Sequence, residues 1–221
     1  MPSNPSKGWM NIMTNRSNIP ITRRRVASEK ADAIRAAVSG ASAITTENAS
    51  SRVATVEDAA AFHEFLSDPQ IHAPIYTLPR PLTVETVRDF IADHQDQREH
   101  GTGLLFLNFD EQGAIGGYSD IAVWPEWAAG ELGGAVHPDR QGKRRGVEGA
   151  RLSFDWMFQF LGLDLICETA SPDNHRTAHL LDGLGFRRMG KIISQRADGT
   201  TRPSLVWEVS RAEWEQEADG S

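Results

Sequence analysis

From about residue 43 the pattern of apolar and polar positions becomes regular, and residues 43–55 read as a strand. The period then lengthens. Val56, Ala59, Phe62 and Leu66 share one face of a helix over residues 56–66. A proline-rich stretch, residues 74–81, precedes Thr83, which caps a second helix with Val84, Val87, Ile91 and His94 on its inner face. Residues 104–109 are an apolar run, residues 110–113 carry turn chemistry, and residues 114–123 complete a hairpin that Trp124-Pro125-Glu126-Trp127 interrupts. A strand over 131–137, a basic loop and a helix to about residue 161 follow, with Phe154, Met157, Phe158 and Leu161 at helical spacing. Residues 163–169 read as a strand, 174–184 as a helix, and 186–196 with 202–209 as a hairpin around Asp198-Gly199.

The middle of the order β-α-α-β-β-β-α-β-α-β-β contains a strand-loop-helix-strand unit whose crossover predicts at least one parallel pair, while the hairpins make antiparallel ones. The predicted fold class is therefore α/β (α+β), a mixed sheet of about six to seven strands with helices on both faces. Residues 1–22, rich in Ser, Asn and Pro, show neither period and are expected to form a mobile arm. Ser28-Glu29 open a short helix with Ala31, Ile34 and Val38 on one face and Gly40 at its end. The expected organisation is a partly disordered extension over residues 1–42, a domain over 43–212 and a tail over 213–221.

Charge sharpens the picture. The 221 residues carry 23 Lys+Arg against 30 Asp+Glu, a net charge of −7, yet residues 1–50 hold +4 and the remainder −11. Phosphate affinity rests on clustered cations, so the acidic body is not expected to bind nucleic acid; it suits a cationic small molecule or a basic peptide. An RNA or ribosome contact is left to the basic N-terminal segment. No run approaches the ~18 apolar residues of a membrane span, so no membrane partner is expected and a soluble, cytoplasmic chain is. The single Cys167 allows neither an intramolecular disulfide nor a cysteine-type zinc site. His175 and His179 have helical i, i+4 spacing without an evident third ligand, and no metal is expected.

The most informative stretch is residues 136–150. A strand ending near Pro138 leads through Gly142 and Gly146, with Lys143, Arg144 and Arg145 between them, into a helix N-terminus. Unpartnered N–H groups and the positive dipole end make such a junction an anion site, and glycine lets backbone approach phosphate oxygens. Neither a Gly-Lys-Ser/Thr ending nor Gly-x-Gly-x-x-Gly is present, which argues against ATP and nicotinamide cofactors. Downstream, a strand runs out at Pro172, Asn174 opens a helix, and Leu184-Gly185-Phe186 ends it.

Gln141, Gly146 and Glu148 fit the loop pattern Gln/Arg-x-x-Gly-x-Gly/Ala, and Asn174, Thr177 and Leu184-Gly185-Phe186 fit a second, Asn-x-x-Ser/Ala followed by Leu-Gly-Phe. On these residues the chain resembles the GNAT superfamily of N-acetyltransferases, and within it the ribosomal-protein-alanine N-acetyltransferase-like branch, over roughly residues 43–210. The resemblance implies the GNAT fold and acetyl-CoA as co-substrate, without a metal. It implies transfer of acetyl to a primary amine, either a protein N-terminus or a small cationic amine, by direct attack on the thioester. Acetyl-CoA would lie between the strands at 131–137 and 163–169. There the main chain near Ala135, Val136 and His137 would meet the pantetheine arm, and Asn174 would touch that arm or a bridging water. Gln141, Gly142, Lys143, Arg144, Arg145, Gly146 and Val147 would hold the pyrophosphate. Glu131 is the expected base, since the attacking amine must lose a proton, and the Thr177 hydroxyl would assist at the sulfur. Tyr76 and Trp124 lie in loops that would flank the acceptor, and Asp120 is a second carboxylate beside it. The chain departs from the family where Arg144 replaces the first loop glycine and Leu181 stands at the place of a frequent acid tyrosine. A non-catalytic module that binds acyl-CoA or a protein is the alternative, and a monomer or homodimer is expected.

Overall fold

The computed structural model describes residues 18–46, 49–138, 145–195 and 199–219. Local sequence sets most element boundaries. Helix α1, Ser28–Gly40, is followed by β1, Ala43–Thr46, and β2, Ala49–Val53. The Thr55 amide and hydroxyl donate to Asp58 Oδ2 at 2.8 and 3.1 Å, a capping box that starts the turn leading into α2, Ala59–Leu66. The short α3, Pro69–His72, precedes α4, Val84–Glu99, whose first turn is closed by Thr83 accepting from the Thr86 amide. Then come β3, Gly103–Phe109; β4, Ile115–Trp124; β5, Ala129–Val136; α5, Arg145–Gln159; β6, Leu165–Ala170; α6, His175–Gly183; β7, Arg187–Gln195; β8, Thr201–Ser210; and α7, Arg211–Asp219.

Among the described residues eight strands join one sheet in the order β1-β2-β3-β4-β5-β6-β8-β7, antiparallel except for β5 beside β6. The expected six to seven strands are thus eight. Residues 43–55, read as one strand, reverse on themselves, with β1 and β2 paired from Ala43↔Arg52 to Thr46↔Ala49. Both arms are mostly polar in sequence, and among the described side chains Ile44 and Val53 pack against the core. The sequence therefore carried no apolar landmark for the reversal; Glu47 and Asn48, between the arms, lie outside the described residues.

Helices cover both faces. On one, Phe106, Ile121, Ile166 and Trp207 pack with Phe154 and Met157 of α5. On the other, Leu105, Leu107 and Tyr118 pack with Phe62 of α2 and Val87 and Ile91 of α4. Coverage on both sides explains why β3 is buried at five successive positions. Residues 28–40, placed by sequence in the extension, bury Ala31, Ile34 and Val38, and the latter two join the first core. Trp214, placed in the tail, joins it as well. Among the described residues no helix is long and apolar enough to cross a membrane.

Candidate active site

The sheet parts at its one parallel junction. Strands β4 and β5 hold register over eight pairs, from Gly117↔Val136 to Trp124↔Ala129, whereas β5 and β6 pair only at Ala129↔Leu165 and Gly130↔Ile166. Beyond Gly130 the two diverge. At the fork the buried Glu168 of β6 reaches across, and its Oε1 accepts from the Leu132 amide at 2.8 Å. The His137 amide points the other way, to Gly116 O at 2.9 Å. Strand alternation then directs the main-chain groups of Gly134 and Val136 into the opening and those of Ala135 and His137 toward β4. Gly134 has φ +141°, and a Cβ there would stand 2.2 Å from Tyr118 O, so β5 runs past the opening at a position only glycine fills. An edge with outward amides and no neighbouring strand suits the amide-bearing arm of a coenzyme A thioester.

The far end of the opening is built by two helix starts. Helix α5 begins at Arg145, and a methyl group placed on Gly146 would lie 4.0 Å from Arg176 Nη2 of α6. A guanidinium thus stands beside the positive end of a helix, a fitting place for phosphate. Val147 is exposed in the same turn. Asn174 caps α6, its Oδ1 accepting from the Thr177 amide at 3.1 Å, which fixes both residues at the C-terminal end of β6. Gln141, Gly142, Lys143 and Arg144 lie outside the described residues, and for Arg145 only the backbone is described.

Beside the fork is a small cavity of about 40 Å³, with Glu131, Thr169 and Tyr76 in its wall. Thr169 Oγ1 donates to Glu131 Oε1 at 2.7 Å, aligning a carboxylate that is only 7% exposed. The Tyr76 hydroxyl donates to Thr200 O at 2.7 Å, and the Arg202 guanidinium stacks over its ring at 4.2 Å. Glu131 and Tyr76, predicted separately, therefore meet in one cavity. Trp124 instead packs under it with Ile19 and Cys167.

Asp120 is turned into the layer beneath. It is 2% exposed, and its Oδ1 lies 3.2 Å from His94 Nε2 of α4. His94 Nδ1 is 2.7 Å from Phe90 O, which can only accept, so Nδ1 carries a proton and the bond to Asp120 holds another. The Tyr118 hydroxyl is buried with no hydrogen-bond partner among the described residues, and burial, reinforced by the Asp120 charge, pushes its phenol well above the usual value. Register makes Asp120 a diagonal neighbour of Glu131 on the same sheet face, since Asp120 opposes Gly133 and Glu131 opposes Ala122.

Several site residues escaped the sequence reading. Glu168 and Thr169 sat in an apolar strand pattern that suggested only structure. Arg176, two residues after Asn174, could have been found as a cation in the first turn of a helix next to the anion site. Arg202 gave no local signal, because only the β7–β8 hairpin brings it to Tyr76.

A family profile described as acetyltransferase (GNAT) domain matches residues 52–187, more than half of the chain. No curated protein matches it. Among solved structures, ribosomal-protein-S5-alanine acetyltransferase from Vibrio fischeri superposes with TM-score 0.63 at 19% identity, over 78% of this chain and 98% of the other. RimJ from Mycobacterium smegmatis, in complex with CoA-disulfide, gives 0.63 at 21% identity, over 75% and 83%. AAC(6')-Ib in complex with ribostamycin and coenzyme A gives 0.61 at 18% identity, over 77% and 97%.

Proposed function

Because the chain belongs to the GNAT acetyltransferase family, whose members are acetyl-CoA-dependent acyltransferases, we propose that it moves an acetyl group from acetyl-CoA to a primary amine by direct attack. The observation that carries this reading is the coincidence of the β5–β6 fork with a cavity holding an aligned, buried carboxylate, Glu131. The amide edge at Gly134 and Val136 would pair with the pantetheine arm, with Ala135 and His137 holding that edge to β4. The turn at Gly146 and Val147, with Arg176 and the cations Lys143, Arg144 and Arg145, would hold the pyrophosphate, and Gln141 and Gly142 would complete that loop.

A cationic amine must first become a nucleophile. Glu131 takes its proton, directly or through one water. The amine nitrogen bonds to the acyl carbon while an N–H on the open edge of β5, Gly134 foremost, receives the negative charge growing on the carbonyl oxygen. As the carbon–sulfur bond breaks, the pair goes to sulfur with the Thr177 hydroxyl assisting that leaving group, and the second proton that nitrogen sheds in becoming an amide restores the thiol. Asn174 orients Thr177 through its amide. Asp120 acts from the same face of the sheet, under α4, where its charge neighbours Glu131 and its bond to His94 keeps it in place.

The acceptor is an N-terminal α-amine or a small cationic amine. The ribosomal-protein acetyltransferases among the structural neighbours favour the first, and the aminoglycoside-bound neighbour, holding ribostamycin, the second. The acidic body attracts either, and a cytoplasmic location accords with both. The basic N-terminal segment would supply any RNA or ribosome contact. Purified protein given acetyl-CoA with a panel of peptides and amines is expected to release thiol in a sustained way. Thermal stabilisation by acetyl-CoA without turnover on that panel would instead support a non-catalytic acyl-CoA-binding module.

A further inference from the structure

The family match begins at residue 52, yet one wall of the Glu131 cavity comes from residue 19. Ile19 is 2% exposed and packs with Cys167 of β6 and Val206 of β8, and it also lines the space that Glu131, Thr169 and Tyr76 border. The segment that delivers it has no helix or strand of its own, and its main-chain groups are held from outside. Glu208 of β8, fully buried, accepts from the Ile21 amide at 2.6 Å and from the Thr22 amide at 3.0 and 3.3 Å. Arg23 Nε donates back to Pro20 O at 2.9 Å, and its guanidinium lies over the Trp127 ring at 4.7 Å. The Val26 amide then donates to Glu126 O at 3.0 Å. A carboxylate sealed from water and aimed at two successive amides fixes the segment to within a hydrogen bond's tolerance.

We propose that residues 19–22 form a strap that completes the acceptor pocket, and that Ile19 sets how large a side chain may stand next to the amine being acetylated. The proposal rests on the reading of the Glu131 cavity as the acceptor site. Ile19 and Ile192 make the apolar part of its wall, and the cavity of about 40 Å³ leaves room for only a small group. The amine of the acceptor meets Glu131, and the side chain beside that amine ends against Ile19. A pocket wall moved by one or a few methylenes changes discrimination by about tenfold or more.

The test compares short peptides identical except for a first residue of Gly, Ala, Leu or Phe. Peptide affinity for the coenzyme A-bound protein is measured by calorimetry, and thiol release with acetyl-CoA is measured separately. The native protein is expected to favour Gly and Ala. Ile19→Ala should raise the relative affinity and kcat/KM for Leu and Phe about tenfold or more, and Ile19→Phe should shift both toward Gly. Glu208→Gln, which loosens the strap without touching the cavity, should shift preference in the direction of Ile19→Ala. Ile19→Val, with a melting curve, provides a milder change should Ile19→Ala fold poorly. Selectivity in binding that follows residue 19 without any turnover would uphold the strap and overturn the proposed reaction. Turnover whose preference is unmoved by both Ile19 variants would uphold the reaction and overturn the strap, and peptides that neither bind nor react would overturn both.

Discussion

One face of the sheet is roofed in two ways. Over β3, β4 and the near part of β5 the roof is α2 and α4, which satisfy their own main chain and bury Phe62, Val87 and Ile91 against Leu105 and Leu107. Over β6 and β8 it is the strap at residues 19–22, which buries Ile19 alone of its apolar side chains in the small cluster with Cys167 and Val206 and leans on Glu208 for its amides. Register places both roofs on one face: Cys167 opposes Glu208, and Thr169, which reaches Glu131, opposes Val206. A helix can be held by apolar contact because its polar groups are already paired; an extended strap needs an acceptor for each buried amide. The candidate active site lies at the seam between the two. A seam between a stiff roof and a tethered one is where a pocket can differ from relatives without disturbing the core.

The largest expected effect is at the seam itself. Glu131→Gln should lower kcat about 10²- to 10⁴-fold while leaving the acetyl-CoA dissociation constant near its native value; an unchanged kcat would remove Glu131 as the base. Under the helical roof, Asp120→Ala would strand the His94 proton in a buried layer and is expected to cost about 3 kcal/mol of global stability, read from a urea midpoint. Under the strap, Glu208→Leu leaves two amides without an acceptor and should cost about 2 kcal/mol. The loss should be local: hydrogen exchange at Ile21 and Thr22 quickens while the β3 amides keep their protection. Global loss from Glu208→Leu, or a purely local one from Asp120→Ala, would dissolve the contrast between the roofs.

The smallest effect belongs to the opposite face. There Asp182, at the end of α6, accepts from Arg188 and from Trp207 Nε1, and these bonds, that of Arg188 foremost, hold its carboxyl down to about 2. Its folded pKa is depressed, so the contribution is complete above the ordinary carboxylate value of 3.8 and is lost as pH falls toward 2. The stability of Asp182→Asn, read from urea midpoints against pH, should lie below that of the native protein by a constant amount above pH about 5 and converge with it as pH falls toward 2.

Much of the helical roof was legible in the chain. Val84, Val87, Ile91 and His94 announced α4 by spacing, although spacing could not say that His94 faces a carboxylate across the layer rather than apolar neighbours. The crossover from β5 through α5 to β6 was legible too, and with it the fork, because the loop and Asn174 motifs sit where the strands end. The strap was not. Ile19 stands among Ser, Asn and Pro with no period, and Glu208, which holds the Ile21 and Thr22 amides, lies more than 180 residues away inside a hairpin. Contacts of that separation leave no local pattern. Trp214 was missed for a related reason: one apolar residue among charges reads as tail until it is seen against Phe154, Phe158 and Phe186.

The bond from Glu168 to the Leu132 amide gives the fork a permanence that strand divergence alone would not. By occupying the donor with which a neighbouring strand would continue its ladder, the carboxylate acts as a spacer that stops the two strands from zipping shut. The cleft is then a property of the folded chain, and binding needs little rearrangement to create it. Its width is written in the length of one side chain. Shortening that spacer by a methylene, as in Glu168→Asp, would change the gauge of the cleft while leaving the chemistry of its walls untouched.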